Sequence, residues 1–199
     1  MTTRLLAVAL LGTVAGPVRA DYPGWKHSGS VFVLTTPEGA NLPAAASVEG
    51  FPLLVRLDKD FFDFSQAKPN GADLRFASAR GEPLPYQIEE WDAAKGTASV
   101  WVRVPKIRGN ARQEIRLHWG KADAEPESNG RAVFNESNGY LSVWHMTGPV
   151  SDAAGTLESK DAGTTPVAGV VGPARRLAGK QGVFCGDKIT SYPTGAEPH

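Results

Sequence analysis

Between Asn70 and Gly120 the apolar residues fall on every second position, and that spacing restricts the backbone to one kind of structure. Leu74 and Phe76, then Leu84, Tyr86 and Ile88, then Ala98, Val100, Val102 and Val104, then Ile115, Leu117 and Trp119 form successive runs. A period of two puts each set on one face of a pleated strand, which gives a sheet buried on one side and wet on the other. Asn70-Gly71, Arg80-Gly81, Lys95-Gly96 and Gly109-Asn110 punctuate the runs, and each is a good turn former. Upstream, Phe51, Leu53, Val55 and Leu57 alternate in the same way and stop at the charged Asp58-Lys59-Asp60, and Val31 to Leu34 reads as a further strand entered through Ser28-Gly29. Strands at this spacing predict an all-β fold, an antiparallel β-sandwich of jelly-roll-like type. Thr35 to Ser47, rich in Thr, Pro, Gly and Ala, reads as a loop. Phe61-Phe62-Asp63-Phe64 reads as a short turn whose aromatics plug one end of the sandwich.

The first twenty residues read as an export signal. Arg4 supplies the positive start, Leu5 to Val14 the apolar run, and Val18-Arg19-Ala20 a small-residue cleavage site before Asp21. At about ten residues, that run is roughly half of what spanning a bilayer requires. No later apolar stretch approaches spanning length, so the expectation is a periplasmic or secreted protein with no membrane insertion after signal removal. Arg4 and Arg19 leave with the signal, so 21 basic against 21 acidic residues become 19 against 21, a net of −2. Such a balance gives no long-range attraction to nucleic acid or anionic lipid. The sole cysteine, Cys185, excludes an internal disulfide. Following Val183 and Phe184, it reads as a buried small hydrophobe.

Beyond the strand-rich region, Ala122 to Gly139 turns polar and reads as a linker or long connection. Tyr140 to Met146 alternates again and predicts a new strand. From Ser151 to His199 the chain is dense in Gly, Ala, Thr, Pro and Asp, with weak strands around Gly169 to Val171 and Gly182 to Cys185. This tail has too few apolar residues to bury a core alone. It reads either as partly disordered or as the opening of a domain whose remainder is missing. The expected organisation is a signal at 1–20, a β-sandwich domain at 21–135, and an incomplete lectin-like β segment at 136–199.

Several blocks in order resemble a known family: Gly24-Trp25, Asn70-Gly71-Ala72-Asp73-Leu74-Arg75-Phe76, Leu84 to Trp91, Val100-Trp101-Val102-Arg103-Val104-Pro105, and Leu117-His118-Trp119-Gly120 ahead of Ala132-Val133-Phe134. Over Tyr22 to Asn135 they are similar to the bacterial domain of unknown function numbered 2341. Tyr140 to Met146, followed by Asp152 and a Gly-rich stretch, resembles the entry into a laminin-G-like, concanavalin A-like jelly roll. The resemblance implies a modular envelope or secreted protein, and it supplies no catalytic residue. It also raises an alternative, an accessory component of a TonB-type or proton-channel transport system.

The residues that could carry chemistry are few. Glu90 and Asp92 would share one face of a strand about 7 Å apart, near the separation glycosidases use. Glu90-Trp91-Asp92 resembles the first half of the Glu-x-Asp-x-x-Glu strand of concanavalin-fold glucanases, but Lys95 stands where the second Glu belongs. His27, His118, His145 and His199 include no pair at ligand spacing, although His118 and His145 could meet in space. Asp58, Asp60 and Asp63 lack the calcium-loop pattern, so solvated loop charge is the commoner reading. For sugar recognition the candidates are Trp101, Arg103 and Trp91, since Trp101 sits opposite Val100 and Val102 on its strand. Trp101 could equally pack under a neighbouring segment. The expectation is a non-catalytic exported module that binds a glycan or an envelope protein, with no cofactor and no metal. A glycan hydrolase using Glu90 and Asp92 is the less favoured alternative.

Overall fold

The computed structural model describes residues 22–169 and 172–186. The expected export signal lies outside the described residues, as do residues 170 and 171 of the weak strand expected at Gly169 to Val171. In chain order the first strands are β1 (His27–Leu34), β2 (Ser47–Asp58), β3 (Arg75–Ser78), β4 (Pro83–Leu84), β5 (Tyr86–Asp92), β6 (Thr97–Arg108) and β7 (Arg112–Trp119). They form two antiparallel sheets, one ordered β1-β7-β3-β4 and the other β2-β6-β5. The fold is an all-β sandwich.

The alternation dictates what lies between the sheets. Val55, Leu57, Val100 and Val102 face inward from one sheet, and Phe76, Leu84, Ile115 and Leu117 from the other, each no more than 5% exposed. The register brings inward residues opposite one another, Leu53 with Val102, Val55 with Val100 and Phe76 with Leu117. The run expected as one strand through Leu84, Tyr86 and Ile88 is two strands in different sheets. Leu84 pairs with Phe76 in the first sheet, and Tyr86 pairs with Val102 in the second. Pro85 between them has no N–H to give either ladder, so the chain crosses there. That crossing joins the two sheets along one side of the sandwich, whereas along the other side β1 and β2 are both edges.

Of the aromatics expected to plug one end, two do so. Phe62 is 3% exposed, and its ring meets Phe64 at 5.0 Å, Trp119 at 5.0 Å and Trp91 at 6.0 Å. Phe61 turns outward and is 71% exposed.

The polar stretch expected as a linker or long connection is packed against the sandwich. Asn129 caps a short helix, α1 (Gly130–Val133), by accepting from Ala132 N–H, and Val133 and Phe134 are buried. With Ala154 they form a second small core that includes Trp101, Tyr140, Val143 and Ala153. The strand expected over Tyr140 to Met146 is not formed. Among the described residues no strand pairs with it; at Val143 the N–H donates to the Asp152 carboxylate at 2.8 Å and the carbonyl accepts from Ala153 N–H at 2.7 Å. Met146 then breaks the extended run with φ 63°. Further on, β8 (Lys160–Ala162) pairs with β11 (Gly182–Phe184), and β9 (Thr165–Ala168) with β10 (Pro173–Arg176). Arg175 of β10 ties the two ladders together through Asp161 and Thr164. Cys185 is a free thiol and only half-buried.

Candidate functional site

Two places could serve a function: the outer face of the second sheet and the open side between the sheets. On β6 the inward Val100 and Val102 leave Trp101 and Arg103 on the outer face. On β5 the register slips between Ile88 and Glu90, and the extra residue, Glu89, accepts a hydrogen bond from Trp101 Nε1 at 2.6 Å. His145 lies over Trp101, its ring stacked at 5.7 Å and 20°, and Phe134 meets Trp101 edge-on at 5.6 Å. His145 Nδ1 is 3.5 Å from Glu89 Oε2 and its Nε2 is 3.1 Å from Gln87 Oε1. Burial pushes the His145 imidazole below the usual histidine range while Glu89 pulls the other way, so the ring is neutral at pH 7. Arg103 donates to Ser137 Oγ at 2.8 Å and to the Ala132 carbonyl at 3.5 Å.

Trp101 and Arg103 therefore do share a surface, and that surface is occupied by the segment running from α1 to His145. Trp91 is not part of it. It faces inward opposite Ala98, with Phe64 at 5.0 Å, on the other face of the same sheet. Glu90 and Asp92 do share the outer face, opposite Ser99 and Thr97. Asp92 accepts from Lys95 N–H at 2.9 Å and from Lys95 Nζ at 2.7 Å, and these hydrogen bonds hold its carboxyl below the usual carboxylate range. A general acid needs the opposite shift.

The remaining candidates are accounted for locally. Asp58 Oδ1 accepts from Asp60 N–H at 2.9 Å, and Asp63 caps the turn at Phe64–Gln66 through Ser65 N–H at 3.0 Å. His118 lies against Tyr22, ring to ring at 4.7 Å, on the outer face of the first sheet and so remote from His145. Among the described residues, no group of three or more His, Cys, Asp or Glu side chains is placed to hold a metal ion. Nor is any helix among them long and apolar enough to cross a membrane.

Sequence reasoning missed the open side of the sandwich. A trough of about 670 Å³ runs between β1 and β2. Phe51 pairs with the inward Val104, and Val48 with the inward Ile107, so both are directed into the interior. Yet Phe51 is 39% and Val48 43% exposed. Val31 and Val33 of β1 form the opposite wall. Strand periodicity identifies the inward face of a strand but not whether the sandwich closes over it.

Fold and site together define a β-sandwich whose outer sheet face supports the chain that follows it. Residues 70–142 match the family model described as Domain of unknown function (DUF2341). The match opens at the Asn70-Gly71-Ala72-Asp73 turn and extends past Phe134, so it takes in both β6 and the short helix docked on it. No curated protein and no solved structure gives a significant match.

Proposed function

We propose that this chain is a non-catalytic, exported β-sandwich module that serves binding or assembly at the bacterial cell envelope. One observation supports the reading above the others: on the outer face of the second sheet, Trp101 and Arg103 of the candidate sugar platform, with Glu89 beside them, are used to hold the following segment. Glu89 accepts from Trp101 and faces His145, Asp92 is bonded to Lys95, and Arg103 holds Ser137 and Ala132. A glycan stacking on the Trp101 face that His145 covers would have to displace that ring. Within this proposal residues 136–199 belong to a concanavalin A-like, laminin-G-like segment, a reading supported by the two short antiparallel ladders and the Arg175 link between them.

The test is a turnover screen of the purified chain on cell-wall and exported polysaccharides, reading new reducing ends, beside the Glu90→Gln variant. No turnover is expected from either. Hydrolysis by the wild type that disappears in Glu90→Gln would overturn the non-catalytic reading. Export predicts that the protein recovered from the periplasm or medium begins at Asp21. A product retaining Met1 in the cytoplasm would remove that part of the proposal.

A further inference from the structure

We propose that a third place, a polar pocket beside α1, binds an acidic sugar, a uronic-acid oligosaccharide whose carboxylate Arg131 holds; this deepens the binding reading and rests on it. The pocket has a volume of about 470 Å³ and opens where α1 meets the segment from Ser151 to Ser159. No strand contributes to its lining, so it is separate from the trough and from the Trp101 face.

Arg131 is a placed cation without a partner. Burial of Val133 and Phe134 fixes α1, so the side chain leaves from a rigid base. Its guanidinium lies against Gly155, where a Cβ would stand 2.0 Å from Nε and 2.7 Å from Cζ. Gly155 also has φ 67°, so both the backbone and the guanidinium require glycine there. The fork is thereby held at the pocket wall while staying open to solvent. Asp152 is the nearest acid in sequence within the lining, and it is already used. Its oxygens accept from Val143, Ala154, Thr156 and Leu157 N–H and from Thr156 Oγ1. Among the described residues none pairs with the Arg131 guanidinium or accepts a hydrogen bond from it. Five N–H groups in a planar fork are left, the geometry that takes a carboxylate by two parallel hydrogen bonds.

The rest of the lining selects the ligand that carries this carboxylate. Leu157 is its one sizeable apolar side chain, and it holds no aromatic ring. An alkyl chain therefore finds no apolar wall, and a nucleobase finds nothing to stack on. A bare phosphate or sulfate is too small, since the pocket amounts to roughly fifteen water volumes at about 30 Å³ each. Ser159 Oγ accepts from Trp144 Nε1 at 2.6 Å, which leaves its own O–H to donate. Glu158, exposed in the same lining, offers acceptors only, so it suits hydroxyl groups and repels a densely charged phosphate chain. One cation, a hydroxyl and an acceptor around a volume in the small-ligand range match a single carboxylate on a ring that carries hydroxyls.

The experiment is calorimetric titration of the full chain with trigalacturonate, beside its methyl ester, in which the carboxylates are neutral and the ring hydroxyls remain. The expected result is one site per chain with a Kd below about 1 mM, and at least about tenfold weaker binding of the ester. Arg131→Gln should weaken trigalacturonate about tenfold. Arg131→Lys keeps the charge but loses the fork and should fall between Arg131→Gln and the wild type. Thermal melts establish that the variants are folded, and the ester comparison tests the site on the wild type alone.

No saturation at about 10 mM trigalacturonate overturns the proposal. So does equal affinity for acid and ester, or unchanged binding by folded Arg131→Gln. Tighter binding of triglutamate than of trigalacturonate would assign the pocket to an acidic peptide. Equal binding of inorganic phosphate would assign it to small anions in general. Either outcome also overturns the proposal. Absent trigalacturonate binding together with absent polysaccharide turnover removes this inference alone. Turnover lost in Glu90→Gln with trigalacturonate still bound removes the non-catalytic reading alone.

Discussion

Asp73 is fully buried, yet its carboxylate serves three backbone donors: Lys68 N–H at 2.8 Å, Gly120 N–H at 2.6 Å and Lys121 N–H at 3.1 Å. Its carbonyl takes Trp25 Nε1–H at 2.7 Å. One residue thus joins the N-terminal entry, the turn before β3 and the exit from β7, which is a structural reason for an acid inside the Asn-Gly-Ala-Asp-Leu-Arg-Phe block. Arg75, 4% exposed, complements it by donating to the Leu74 carbonyl at 2.7 Å and the Glu125 carbonyl at 2.6 Å, and by pairing with Glu127 at 2.8 Å. Removing the Asp73 acceptor leaves buried N–H groups without partners, so Asp73→Ala should cost about 3 kcal/mol in urea unfolding. Asp73→Asn keeps one acceptor oxygen and should cost less. Equal midpoints for the wild type and Asp73→Ala would show that the carboxylate is not what holds these segments together.

Among the elements, the short helix α1 and the residue after it anchor everything that follows the sandwich. Phe134, 2% exposed, touches Trp101, Tyr140 and His145. Phe134→Ala should cost about 3 kcal/mol locally and expose residues 140–186 to protease while leaving 22–120 protected. Uniform sensitivity along the chain would contradict this division. At the other end, Gly109 fits where the β6–β7 turn meets the loop after β1, and a Cβ there would lie 1.8 Å from the Pro43 carbonyl oxygen. Gly109→Ala must therefore displace that loop, at about 1–3 kcal/mol, read as a lowered thermal midpoint.

The elements also show where sequence sufficed. The alternation over 51–57, 98–104 and 115–119 determined strand, face and core directly, because both sheets bury one side. Pattern alone missed the sheet change at Pro85, since alternation continues through it. It also predicted a strand at Tyr140 to Met146, where a partner strand was needed and the Asp152 carboxylate took the Val143 N–H instead. The polar composition of 122–139 concealed Val133 and Phe134. Trp101 and Arg103 could be placed together from β6 alone. The meeting of Glu89 with His145, and the gap beside Phe51, depend on which segments the fold brings together and which edge it leaves uncovered.

At the scale of the whole molecule, buried titratable groups on both sheets set the pH range over which the fold is held. Burial lowers the imidazoles of His145 and His118, with Glu89 opposing the shift at His145 and Arg116 reinforcing it at His118. Each binds fewer protons folded than unfolded between its folded value and the ordinary histidine value of about 6.5, so stability falls as pH drops through that window. Tyr86 acts on the alkaline side. Burial raises its phenol to about 12, against the pull of the Arg75 guanidinium, and its O–H donates to the Leu74 carbonyl at 2.7 Å. Stability from this group is complete below the unfolded value near 10 and is lost as pH rises toward 12, on the order of 2–3 kcal/mol in all. Thermal midpoints should therefore form a plateau from about pH 7 to about pH 10 and decline on either side. Tyr86→Phe should flatten the alkaline decline, because Arg75 still donates to the Leu74 carbonyl. The carboxyls of Asp152 and Asp161 are lowered, so their contribution is lost only below about pH 4, and the decline between about pH 6.5 and that point belongs to the histidines. A decline over that interval that persists unchanged in the double variant His118→Gln, His145→Gln would show that the acid response arises outside these two packed rings.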